Sequence, residues 1–132
     1  MRRVGDRGLD FDVSTKDFRI TEGTTDVAPI VHGFDLAPKQ SNATLEIEFG
    51  ERPMDSIAPD PALTFLSQVV RRPIFDDKGR QLGEDEWGYR GTGERWRRLR
   101  FTGIGTAKYG LVDTRDAEKF DQIINSACLV PR

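Results

Sequence analysis

A chain of 132 residues with 36% hydrophobic and 32% charged side chains has the size and balance of one globular domain. Twenty basic against 22 acidic residues leave a net charge of −2, which argues against a dedicated duplex-DNA binder but allows a local basic patch. A single cysteine excludes an intrachain disulfide, and no apolar run nears the ~20 residues that span a bilayer, so a cytoplasmic protein without membrane contact is expected.

Residues 1–10, "MRRVGDRGLD", are polar and glycine-containing, and read as a loose N-terminal arm. The stretch "FDVSTKDFRI" has a short apolar run ending at Phe18 and Ile20, a first strand. Pro29, Gly33 and Pro38 punctuate the next twenty residues, where "IVHGFDL" reads as a strand with a bulge at Gly33. In "NATLEIEFG", Ala43, Leu45, Ile47 and Phe49 alternate with polar residues, the period-two pattern of a strand with one wet face.

"PDPALTFLSQVVRRP" predicts a helix from Pro61 to Arg71. Asp60 is placed to cap it, Pro61 suits the first position, and Leu63, Leu66, Val69 and Val70 form one stripe. A hairpin over "PIFDDKGRQL" follows, its turn built on Asp76, Asp77, Lys78 and Gly79. "EDEWGYR", "ERWRRLRFT" and "TAKYGLVD" are then three strands joined by "GTG" and "GIG". The last element is a helix from Arg115 to Cys128, capped by Asp113 or Thr114, with Ala117, Phe120, Ile124 and Cys128 on its buried stripe. The fold class predicted is α+β: an antiparallel meander sheet of about six or seven strands, with two helices packed on one face.

The stretch "ERWRRLRFTG" looks first like a nucleic-acid surface. A three-residue "GTG" turn gives it a register: Glu94 faces Arg90, Trp96 faces Gly88, Arg98 faces Glu86 and Arg100 faces Glu84. A "GIG" turn pairs Phe101 with Ala107 and Leu99 with Tyr109. Leu99, Phe101, Tyr109 and Leu111 then point to the helices. Trp96, Arg98, Arg100, Lys108 and Val112 occupy a charge-paired, solvated face.

Among candidate sites, Trp96, Arg98, Arg100 and Lys108 form a basic-aromatic platform of the kind that tracks phosphate and stacks bases. Glu84 and Glu86 stand where they would repel that phosphate. His32 is the lone histidine, and the apolar segment carrying it and Phe34 is a docking candidate. One histidine and one cysteine cannot close a four-ligand zinc site, and Cys128 on a buried stripe reads as inert packing. "GTG" and "GIG" lack the strand-to-helix setting of a phosphate loop, so no metal and no cofactor are expected.

A well-patterned scaffold with few nucleophiles points to a small non-catalytic binding or accessory module whose partner is another protein. Single-stranded nucleic-acid binding is the alternative, and a small enzyme with a carboxylate or His32-centred cleft is the second.

Overall fold

The computed structural model describes residues 1–24, 31–50, 68–91 and 93–129. The described residues form ten strands and one helix: β1 (Arg2–Asp6), β2 (Leu9–Val13), β3 (Phe18–Thr24), β4 (His32–Pro38), β5 (Leu45–Phe49), β6 (Gln68–Phe75), β7 (Gln81–Arg90), β8 (Glu94–Phe101), β9 (Gly105–Asp113), α1 (Thr114–Asn125) and β10 (Cys128–Leu129). Seven strands form one sheet in the order β3-β4-β5-β9-β8-β7-β6, and three form a second in the order β1-β2-β10. Every pairing is antiparallel.

The core lies between these sheets and under the helix. Leu36, Leu45, Ile47, Phe49, Leu99, Phe101, Ala107 and Tyr109 face it from the large sheet. Val4, Leu9, Phe11 and Val13 meet them from the small sheet, and Ala117, Phe120, Ile123 and Ile124 from α1. The alternation in "LEIEF" is the pattern expected of β5: Leu45, Ile47 and Phe49 are buried and Glu46 is exposed.

The α+β expectation with two helices is therefore corrected to a mostly β fold, with one helix among the described residues. Residues 68–71 of the first expected helix belong to β6, where Val69 and Val70 pair with Gly88 and Trp87. The remainder of that helix, residues 61–67, lies outside the described residues. Valine is stiff at χ1 and favours a pleated surface, so a tertiary strand partner overrides the helical spacing. The second expected helix is present, with the Asp113 side chain accepting from Arg115 N at 2.8 Å. It ends at Asn125, so Cys128 falls in β10 with an exposed thiol rather than on the buried stripe.

Residues 1–10 are not a loose arm either. Val4 and Leu9 are buried, and β1 pairs with β2 from Arg2↔Val13 to Asp6↔Leu9. The single strand read in "FDVSTKDFRI" is two, separated where Phe18 N and Asp17 N both reach Ser14 O. Gly33 carries no bulge, since β4 pairs without a break on both sides. The Asp76–Gly79 turn is as read: Asp76 Oδ1 accepts from Lys78 N and Arg80 N, and Gly79 has φ 78°.

Candidate functional site

The β7–β8 register is the one the sequence predicts, from Arg90↔Glu94 through Gly88↔Trp96 to Glu84↔Arg100. The β8–β9 register differs by two residues: Leu99 faces Ala107 and Phe101 faces Gly105. The loop keeps three residues but is displaced by one, to 102–104 in place of the "GIG" at 103–105, and Gly103 takes the left-handed position at φ 74°. A shift of two keeps each side chain on its face. Farther along, Arg95 pairs with Val112 and Arg97 with Tyr109, so Gly110 and Leu111 together oppose Trp96 in a bulge. That extra residue reverses the facing beyond it. Val112 packs on the core, where Leu111 was expected.

Consecutive positions of β8 consequently serve two different charge networks. Beneath α1, Arg97 donates from Nε and Nη2 to the two oxygens of Asp85, at 3.0 and 2.8 Å. Its Nη1 reaches Asp121 Oδ1 at 3.0 Å, and Nη2 also reaches Asn125 Oδ1. Asp121 further receives Tyr109 Oη at 2.9 Å and Arg95 Nη2 at 2.8 Å. Burial opposes the Arg97 charge, but the bonds to Asp85 and Asp121 outweigh it and hold the guanidinium above its usual pKa. Burial, with Asp121 beside it, pushes the Tyr109 phenol up, so the hydroxyl stays a donor.

On the opposite face, cross-strand pairing lines up Asp35, Glu46, Lys108, Arg98, Glu86 and Arg71 across six strands. Glu86 takes Arg98 Nη2 at 2.8 Å and Arg71 Nε at 3.1 Å, and Glu84 takes Arg100 Nη2 at 3.3 Å. This face is not solvated as expected: Trp96 is 0% and Glu86 2% exposed. The Arg98 guanidinium lies 5.7 Å from the Trp96 ring centre. Nε of Arg98 and of Arg100 is buried without a hydrogen-bond partner among the described residues. The platform's members are thus neighbours in space, but the ring is enclosed and both arginines already hold carboxylates. Lys108 lies beside Arg98 on β9.

His32 and Phe34 meet elsewhere, on the core face of β4 near the far edge of the sheet. The ring of His32 sits 4.6 Å from that of Phe34. Its Nδ1 contacts Asp6 Oδ2 at 3.1 Å and its Nε2 contacts Glu22 Oε2 at 2.5 Å. Glu22, then Asp6, stabilise the imidazolium and raise its pKa, while His32 lowers that of Asp6. The two carboxylates approach opposite ring nitrogens, so they do not converge on one ion. Among the described residues no set of three His, Cys, Asp or Glu groups can hold a metal.

Comparison with protein-family models, with curated proteins and with solved structures gives no match. The functional reading therefore rests on this chain's own surfaces. Among the described residues, no helix is long and apolar enough to cross a membrane.

The site that sequence reasoning missed is the β6 edge. Among the described residues, Val69, Val70, Phe75 and Tyr89 are, apart from Met1, the exposed large hydrophobic ones. All four lie on β6 or on β7, its only partner strand among the described residues, where β6 ends the order of the large sheet. The helical reading of 61–71 hid this signal, because it assigned both valines to a buried stripe. The adjacent arginines are exposed too. Arg72 lies 5.7 Å over the Trp87 ring, and the Arg71 side chain is 67% exposed despite its bond to Glu86.

Proposed function

We propose that this chain is a non-catalytic module that binds another protein, taking an extended segment of its partner along β6. The observation that carries the reading is the clustering of exposed apolar side chains on an edge strand. An edge strand offers a row of unpaired backbone groups that can accept one further strand, and natural proteins usually blunt such edges. β6 is blunted only in part. Pro73 and the Arg71–Arg72 pair interrupt its second half, while Val69 and Val70 leave the first half apolar.

The partner's chemistry follows from these residues. Apolar side chains would lie over Val69 and Val70, and carboxylates would lie opposite Arg71 and Arg72. A second copy of β6 fits poorly. Antiparallel self-pairing centred on the two arginines sets like charges against each other.

The nucleic-acid reading has less support, since a base needs an open aromatic face and Trp96 is enclosed. For the enzyme reading, both nitrogens of His32 are engaged by carboxylates. One exposed free thiol fits the cytoplasm as the working location. The deciding experiment is capture of a partner by the wild-type chain and by Val70→Asp, with circular dichroism as a folding control. Loss of the partner in the folded variant supports the proposal. A partner retained equally by Val69→Asp, Val70→Asp and Phe75→Asp removes it.

A further inference from the structure

Remote from β6, a cleft of about 700 Å³ opens between the β2–β3 turn, the segment after β4 and the outer side of α1. Its size is that of a site for a small organic molecule. Phe18, Pro38 and Ile123 supply apolar wall, and all three are buried residues continuous with the core side of the fold. Lys16, Lys39 and Lys119 stand around it, one from each of the three elements that frame the cleft.

These lysines differ from most of the molecule's other cations. Among the described residues nine arginines hold a carboxylate within 4.0 Å: Arg2 and Arg3 on β1, Arg80 before β7, and six of the seven on β6, β7 and β8. None of the three lysines has such a partner among the described residues, and all three are exposed. The two carboxylates in the lining are already engaged. Asp12 faces Arg3 Nε at 3.7 Å, and Asp17 Oδ2 accepts from Ser14 Oγ at 2.9 Å. Three ammonium groups against two engaged carboxylates make the cleft locally positive in a chain whose net charge is −2. An ammonium on a four-carbon stem acts as a movable point charge, suited to a carboxylate, sulfonate or phosphate without fixed geometry.

We propose that this cleft binds a small amphiphilic anion, an acyl or aryl body on the Phe18–Pro38–Ile123 wall with its acidic head among Lys16, Lys39 and Lys119. Both halves of the site are needed. The lysines provide no preformed fork or backbone cradle for a bare inorganic anion, and a neutral apolar molecule leaves the three charges unanswered. The inference is independent of partner binding at β6, because the two surfaces share no residue.

The test uses the fluorescent anion 8-anilinonaphthalene-1-sulfonate with the full chain, followed by displacement. Decanoate should displace it, whereas decanol and inorganic phosphate at the same concentration should not. Lys39→Glu and Lys119→Glu should each weaken the probe's affinity by about tenfold, the scale of one charge-assisted contact. Lys78→Glu, in the distant β6–β7 turn, should leave it unchanged, and so should Val70→Asp. On the wild-type protein, amide chemical shifts of Gln122 and Ser126 should move with added decanoate, which reads the site without relying on any variant. Affinity unaltered in both lysine variants, or shifts confined to β6 and β7, overturns the assignment. Displacement by phosphate as effective as by decanoate overturns the amphiphilic part of it.

Discussion

Arg97 on β8 and Asp121 on α1 are joined at 3.0 Å, and the same guanidinium holds both oxygens of Asp85 on β7. One side chain thereby ties two strands to the only helix among the described residues. The side chains of Arg97, Asp85 and Asp121 are 13%, 9% and 13% exposed, so the charges are largely removed from water. Arg97→Met would take from Asp85 the guanidinium that holds both its oxygens and would leave Asp121 to Arg95. A loss of about 3–5 kcal/mol in urea unfolding is expected, the usual penalty for removing one member of a buried ion pair. Arg97→Lys should fall between, because an ammonium cannot reproduce the two-pronged contact. A cost below about 1 kcal/mol for Arg97→Met would mean that apolar packing alone seats α1.

Trp96 gives a prediction that separates enclosure from base stacking. Its ring is fully buried, while Trp87 keeps partial exposure. In a Trp87→Phe background the remaining emission should be blue-shifted and resist iodide quenching. Single-stranded oligonucleotide at low salt should leave it unchanged, although phosphate contacts would be strongest there. Trp96→Ala should cost about 3–5 kcal/mol through the cavity it leaves. Strong quenching by oligonucleotide would restore the stacking role.

Gly83 is required by a close approach rather than by its backbone angle. A Cβ at this position would collide with the Arg100 carbonyl on the neighbouring strand. Gly83 pairs with Phe101, so the clash lies where the β7–β8 ladder meets the core. Gly83→Ala should push the strands apart, raise amide exchange around Phe101 and lower Tm. Gly93→Ala, where an added Cβ meets nothing within 4 Å, is the matched control and should be nearly neutral.

These expectations show which parts of the fold were legible in the sequence. Local rules read the β7–β8 hairpin well, because a three-residue turn and three opposite-charge pairs agree on one register. The Asp76 turn and the Asp113 cap were legible for the same reason: each is satisfied within a few residues. Non-local pairing was not. The β1–β2 hairpin looks polar because Val4 and Leu9 are its only large apolar residues before Phe11, and their burial depends on strands distant in sequence. Position Gly110–Leu111 hid a bulge, which silently exchanged the roles of Leu111 and Val112. Asp121 and Asn125, one helical turn apart, did carry a signal for the polar face of α1. The spatial union of His32 with Asp6 had none, since 26 residues separate them.

That union makes stability depend on pH in a defined sense. His32 joins β4 to Asp6 on β1 and to Glu22 on β3, and so links the two sheets. Arg2 also touches Glu22, at 3.5 Å, and Arg7 adds a nearby positive charge to Asp6. The folded protein holds the histidine's pKa above 6.5, so this contribution is complete below pH 6.5 and fades as pH rises through the raised value. Asp6 is held below 3.8, so its contribution is complete above pH 3.8 and fades as pH falls through the lowered value. The clasp is therefore fullest between these limits. Above them, a neutral imidazole has one N–H for two carboxylates, and one contact turns repulsive. Proton NMR should show His32 titrating above 6.5, and Asp6→Asn should bring that titration down. Tm should fall by a few degrees from pH 6 to pH 9 in the wild type, while His32→Gln should show a flatter profile over the same range. An equal slope in both proteins would show that the cation at His32 does not fasten the small sheet to the large one.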